Sequence, residues 1–250
     1  MDVVDLREFY AGRLGAATRR MIAHRVRPRI NMPAATVMGL GFPTPYLDCA
    51  HDPLRRTMAF MAARRGVYHW PEDGPGCTTL VDEFALPLLE STVDFAFLIH
   101  ALELTDNPGE MLREVWRVMS PQGRLLVVVP NRRGMWARFD TTPFGYGQPY
   151  SRPQLHALLR ETQFSPIGWS QALYMPPFER SLVLSSAPAW ERLGMWISPG
   201  FSGVIIVEAV KQVYAISSGG KKVRKMVPVL NPALATFEGS AASRPSPEPL

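Results

Sequence analysis

The sequence predicts an α/β protein, a mostly parallel seven-stranded sheet with helices on both faces. Three observations point there. Phe95 to Ile99 is an apolar run without polar alternation, the pattern of a strand buried on both faces of a parallel sheet. Asn107 and Pro108 then supply an N-cap and a first helical residue, and Met111, Leu112, Val115, Trp116, Val118 and Met119 recur at helical spacing. Ser120 to Gly123 stops that helix, and Arg124 to Val129 returns as a β-branched strand, so the stretch from Val93 to Asn131 reads as one β-α-β unit.

The other elements follow in order. Val4, Leu6, Phe9, Tyr10, Leu14, Ala17 and Met21 predict an amphipathic helix from Val3 to about Arg25, packed on the domain and covering the entrance to its site. Ala34 to Met38 is the expected first strand, and Gly39 to Leu47 the turn after it. The second strand is expected within Arg56 to Met61, and a third ends near Asp82. Ser151 as N-cap and Pro153 open a helix through Glu161, Phe164 to Tyr174 reads as an edge strand, and Gly203 to Tyr214 as the last strand. The expected division is an N-terminal helix in 1–30, a domain in 31–215 with an aromatic helical insertion at 182–201, and a disordered basic tail in 216–250.

Composition narrows the function classes. A hydrophobic content of 46% is enough for an ordinary core, and no apolar run approaches the ~20 residues that span a bilayer. Asp2, Asp5 and Glu8 stand where a secretory signal would be basic, so a cytoplasmic protein is expected. Cys49 and Cys77 form no CxxC pair, which suggests neither a zinc site nor a disulfide framework. Of the net charge of +5, the tail supplies +3, and Arg19, Arg20, Arg25, Arg27 and Arg29 make a second basic concentration. Such charge attracts nucleic acid or anionic surfaces, or only solvates a face.

The order Leu-Glu, Asp-Asn-Pro, Glu-x-x-Arg-Val-Met-x-Pro-x-Gly-x-Leu in Asp94 to Leu125 resembles the class I S-adenosylmethionine-dependent methyltransferases, in particular their small-molecule-like type 11 branch. The resemblance covers roughly Ala34 to Phe164. It implies a Rossmann-like methyltransferase fold with S-adenosylmethionine as cofactor. It also implies a glycine-rich loop at Gly39, Leu40, Gly41 and Phe42, where residues lacking Cβ let the backbone approach the ligand. Asp82 and Glu83 correspond to the end of the third strand, where an acid reads the adenine, and Ile99 and His100 to the end of the fourth.

The chain departs from the family pattern in two places. Val37 and Pro43 stand where an acid and a further glycine are usual, and Arg64 and Arg65 follow the second strand without the acid that holds the ribose. His100 is the candidate catalytic base, while Glu103 is expected only to pack or cap. Asn131, Arg132, Arg133, Trp136, Phe144 and Tyr146 border the acceptor by the resemblance.

Three functions are therefore open. The leading one is a methyltransferase acting on a small-molecule or peptidyl acceptor. The missing acids favour a catalytically silent binding or scaffold protein, to which the aromatic segment 182–201 would offer a partner surface. The arginine-rich helix, Arg132, Arg133 and the basic tail favour an RNA methyltransferase, against which the ending Val-Pro-Asn-Arg lacks the motif of base amino methylation.

Overall fold

The computed structural model describes residues 1–30, 36–47, 55–179, 190 and 201–213. Seven strands form one sheet: β1 (Thr36–Gly41), β2 (Arg56–Ala62), β3 (Thr78–Val81), β4 (Val93–Ile99), β5 (Met119–Pro130), β6 (Phe164–Ala172) and β7 (Val204–Lys211). Their order is β3-β2-β1-β4-β5-β7-β6. The first five strands run parallel, and β7 is antiparallel to both β5 and β6. The chain thus winds outward from β1 in one direction and from β4 in the other. The crevice beyond the carboxyl ends of these two strands is the switch point, where open α/β sheets bind ligands.

Alternation along the central strands sorts the core onto two faces. Phe95, Phe97 and Ile99 of β4 pack on one face with Val37, Leu126 and Val128, under Leu14, Ile22 and Val26 of the helix α2 (Arg13–Ile30). Ala96 and Leu98 point the other way, with Met38, Leu40 and Val127. There they meet Met111, Leu112 and Val115 of α4 (Pro108–Val118) and Leu155 and Leu159 of α5 (Arg152–Glu161). A slip of one residue in β4 would exchange the two sets, so burial on both faces fixes the register.

Local signals set the helix starts. Asn107 accepts from the Glu110 backbone amide with Pro108 at the first position, and Ser151 forms a capping box with Gln154. Asp2 does the same with Asp5 for α1 (Val3–Ala11). The single N-terminal helix expected through Arg25 is two helices, α1 and α2, because the backbone turns extended at Gly12. Gly15 makes the turn tight: a Cβ there would lie 1.9 Å from the Phe9 carbonyl oxygen. β5 starts at Met119, earlier than the expected Arg124, and takes in the turn residues with a register shift against β4.

The expected insertion at 182–201 and tail at 216–250 lie outside the described residues, apart from the exposed Trp190 and Phe201. The cysteine Cys77 is unpaired, and among the described residues no group of acids, histidines and cysteines could hold a metal ion. No helix among them is long and apolar enough to cross a membrane.

Candidate functional site

β1 ends in the switch-point crevice at Gly41. Its φ of 98° and a virtual Cβ only 2.2 Å from the Ile99 carbonyl oxygen leave room there for glycine alone. The Phe42 amide donates to that same carbonyl at 2.8 Å, so β1 and β4 stay joined to their last residues. Phe42 is buried. Its ring stacks on Tyr10 at 5.7 Å between centroids and meets Tyr68 at the same separation. The short helix α3 (Thr44–Leu47) follows, burying Tyr46.

A buried polar chain crosses the crevice. His100 follows the end of β4 with a φ of 51°, a left-handed conformation that costs a residue with a Cβ about 1–2 kcal/mol. Its Nε2 lies 2.8 Å from the Tyr10 hydroxyl, which in turn lies 3.0 Å from the Tyr46 hydroxyl. On the other side, His100 Nδ1 stands 3.3 Å from Glu103 Oε1, with both side chains fully buried. The two atoms are close without a hydrogen bond between them, and which of His100 Nε2 and the Tyr10 hydroxyl donates is set by the imidazole tautomer. Burial, together with Tyr46 and the Glu103 charge, pushes the Tyr10 phenol well above its ordinary pKa. Burial likewise raises that of Tyr46, so both phenols stay protonated.

The helix α1 roofs this chain. Val3 and Leu6 pack on Phe42 and Met61, with Tyr10 alongside, one helical face of i, i+3 and i+7. Beneath it, the cavity lined by Leu40, Gly41, Arg65, Glu83, His100 and Met111 holds about 10 Å³, the space of one water. Several polar atoms around it lack hydrogen-bond partners: Arg65 Nη1, His100 Nδ1 and both carboxylate oxygens of Glu103.

Arg65 and Glu83 also line an open groove of about 310 Å³, together with Met1, Arg64, Leu104 and Tyr146. Glu83 is held there by the Thr105 hydroxyl at 2.9 Å, and Arg65 donates to the Leu104 carbonyl. Burial lowers the Arg65 pKa against the opposing pull of Glu83, Glu103 and Asp106.

Several expected site residues come together here: Leu40, Gly41, Phe42, Glu83, Ile99, His100, Phe144 and Tyr146. Phe144 packs its ring 4.8 Å from that of His100, behind the polar chain, and Tyr146 lines the groove beside Glu83. Others stand elsewhere. Gly39 lies inside β1, opposite Phe97, where a Cβ would lie 2.4 Å from Pro43, and the turn opens after Gly41, three residues later than expected. Asp82 lines neither cavity nor groove, and its carboxylate accepts from the Phe84 amide in its own turn, whereas the expected Glu83 lines both.

Asn131 and Trp136 are buried fixtures of the fold. Asn131 binds the Ser202 carbonyl and hydroxyl, and the Trp136 indole donates to the Met175 carbonyl at 2.7 Å. Arg132 and Arg133 are exposed, and Arg132 donates to the Pro149 carbonyl. The sequence reading missed Tyr10, Tyr46 and Arg65 and reduced Glu103 to packing. Only the last left a local trace, its spacing of three from His100.

Residues 58–127, from β2 to the middle of β5, match the family model described as "Methyltransferase domain". The fold is the Rossmann-like fold of the methyltransferases. The chain shares it with an S-adenosylmethionine-dependent methyltransferase from Thermotoga maritima, at a TM-score of 0.58 and 16% identity over 84% of this chain and 96% of that one. An S-adenosylmethionine-dependent methyltransferase from Aquifex aeolicus gives 0.53 and 17% over 78% and 92%. Geranyl diphosphate C-methyltransferase from Streptomyces coelicolor, solved with Mg2+, geranyl diphosphate and S-adenosylhomocysteine, gives 0.54 and 12% over 76% of each chain. No curated protein sequence matches.

The family's cofactor, S-adenosylmethionine, meets a divided site. The groove at Glu83 and Tyr146 has the volume and donor set for a nucleoside. The cavity at Gly41 and His100 does not have the volume for the amino-acid part while Tyr10 and Phe42 are seated.

Proposed function

We propose that this methyltransferase uses S-adenosylmethionine to methylate a small-molecule acceptor, with α1 as a lid that must lift before the cofactor seats fully. The reading rests above all on the buried Glu103-His100-Tyr10 chain at the switch point of a methyltransferase domain. Burying an ionisable pair costs several kcal/mol unless it is well partnered, and here two of its members keep unpartnered atoms. A site that stores such a cost has a use for it.

Gly41, Glu83 and Tyr146 would hold the cofactor, which would supply a methyl group on a sulfonium. The rest is the work of the chain. With α1 lifted, Tyr10 leaves His100 Nε2, which becomes free to accept the acceptor's proton. Glu103 keeps the proton on Nδ1 and stabilises the imidazolium that forms. Phe144 behind the ring fixes its plane, and closure of α1 excludes water from the crevice. Lifting is feasible because α1 buries only Val3 and Leu6 fully, roughly 1.5–3 kcal/mol each before the entropy of ordering the helix is counted.

Calorimetric titration with S-adenosylmethionine and S-adenosylhomocysteine tests the reading. Binding of both is expected, tighter after deletion of residues 1–11. A second reading, a silent scaffold of the same fold, draws on the small cavity and on Arg64 and Arg65 standing where the ribose acid is usual. No binding at millimolar cofactor, with or without α1, would decide for the scaffold.

A further inference from the structure

The side chain of Tyr10 sits in the crevice as a bound phenol would. Its ring stacks on Phe42 at 5.7 Å with 16° between the planes, and Phe9, Tyr46 and His100 stand edge-to-face with it at 5.2, 5.9 and 5.8 Å. Stacked and edge-to-face contacts at these separations are the ones that aromatic rings prefer. The hydroxyl has two partners, the Tyr46 hydroxyl at 3.0 Å and His100 Nε2 at 2.8 Å. A phenol oxygen, with one proton to give and lone pairs to receive, serves both at once. Only Phe9 and Tyr10 itself come from α1. The rest of the slot belongs to the body of the domain, since Phe42 follows β1, Tyr46 lies in α3 and His100 follows β4.

We propose that this slot is the acceptor's binding site and that, on the reading above, the acceptor is a phenol whose ring and hydroxyl take the place of Tyr10 when α1 lifts. The ring then stacks on Phe42, and the hydroxyl meets His100 Nε2, the atom assigned to the base. Tyr10 is half-buried and also lines an open groove of about 610 Å³ along α2, so the slot has a mouth and a substituted phenol has space to extend. Lifting α1 also withdraws Val3 and Leu6 from Phe42 and Met61, so the phenol does not take all the room that the lift provides.

The pairing of ring and hydroxyl sets the class of ligand. An aliphatic alcohol loses the stacking on Phe42, and an aromatic hydrocarbon leaves Tyr46 and His100 without this bond. A site built to bond a hydroxyl rejects the analogue that lacks one, because its own buried polar groups go unpaired. An apolar void of the same size would instead take up a hydrocarbon readily.

The experiment titrates the full chain with p-cresol, which is the tyrosine side chain alone, and with toluene and 4-methylcyclohexanol, each without cofactor. The wild type should bind p-cresol saturably, with faster amide hydrogen exchange in residues 3–11. Tyr10→Ala vacates the slot and should bind p-cresol at least about tenfold tighter than wild type, with toluene and 4-methylcyclohexanol each about tenfold or more behind. Tyr10→Phe keeps the ring but loses both bonds, and its affinity for p-cresol should exceed the wild-type value about fivefold.

Toluene bound as tightly as p-cresol overturns the proposal. So does an affinity for p-cresol no higher in Tyr10→Phe than in wild type, which decides the matter if Tyr10→Ala loses the wild-type circular dichroism. Saturating S-adenosylhomocysteine should leave p-cresol binding within about threefold, and mutual exclusion of the two overturns the proposal. A protein that binds p-cresol in the slot but neither S-adenosylmethionine nor S-adenosylhomocysteine refutes the proposed function while keeping the slot as a phenol site. Cofactor binding without any binding of p-cresol does the reverse.

Discussion

The Tyr10 hydroxyl lies 2.8 Å from His100 Nε2, across ninety positions of sequence, and so the first helix of the chain is tied to the residue that follows its central strand. This one contact occupies the nitrogen best placed to act as a base. It also holds α1 over the crevice, and on the proposed function the seating of α1 and the binding of cofactor compete. Tyr10→Phe keeps the ring packing and deletes the bonds to His100 and Tyr46. It should lower stability by about 1–2 kcal/mol, a fall of ~2–6 °C in Tm. Cofactor affinity should nevertheless rise about fivefold, because each ~1 kcal/mol taken from the closed form raises the binding-competent fraction. Calorimetry beside a melting curve reads both, and a variant that is less stable and also binds more weakly would mean that α1 is no lid.

His100→Asn retains one hydrogen-bonding group toward Tyr10 and abolishes the base. With the best acceptor from a panel of small molecules, turnover should fall roughly 100-fold or more. Cofactor affinity should stay within threefold of wild type. Equal losses in turnover and cofactor affinity would show that His100 shapes the pocket without moving a proton.

The choice between Asp82 and Glu83 can be made in one titration series. Glu83 lines both cavity and groove, while Asp82 spends its carboxylate on the Phe84 amide. Glu83→Gln should weaken S-adenosylmethionine binding about five- to tenfold, the cost of replacing a charged hydrogen-bond partner by a neutral one. Asp82→Asn should leave it within twofold. The reverse ranking would restore Asp82 as the adenine reader and misplace the groove.

The difference between what was legible and what was not follows the range of the interactions. The unit from Phe95 to Val129 could be read because a cap, a proline and a periodic apolar face all act within a few residues. Gly39 and Gly41 differ by two positions, the period of a strand, so pattern alone could not say which one ends β1. The structure decides by the close approach of Gly41 to the Ile99 carbonyl. Asp82 and Glu83 are adjacent acids, and only the turn that bonds Asp82 to Phe84 sends the second into the site. The Tyr10 to His100 contact has no local signature, since its two residues stand ninety positions apart.

The resemblance motif itself has a structural task that predicts a pH dependence. Glu114 and Arg117, the Glu-x-x-Arg of α4, pair at 2.6 Å. Together they hold the turn after β3: Glu114 accepts from the Leu86 amide, and Arg117 donates to the Leu86 and Leu88 carbonyls. The bond from Arg117, with help from the Leu86 amide, holds the Glu114 carboxyl below its ordinary value of 4.5. A carboxylate with a depressed folded pKa contributes its stability in full above the unfolded value and loses it as the pH falls through the folded one. Glu114→Gln keeps an acceptor for the Leu86 amide but removes the charge. At pH 7 it should melt below wild type, and the gap should close progressively as the pH drops under 4.5. A gap that stays constant into the acid range would mean that the pair acts through shape alone, with no contribution from its charge.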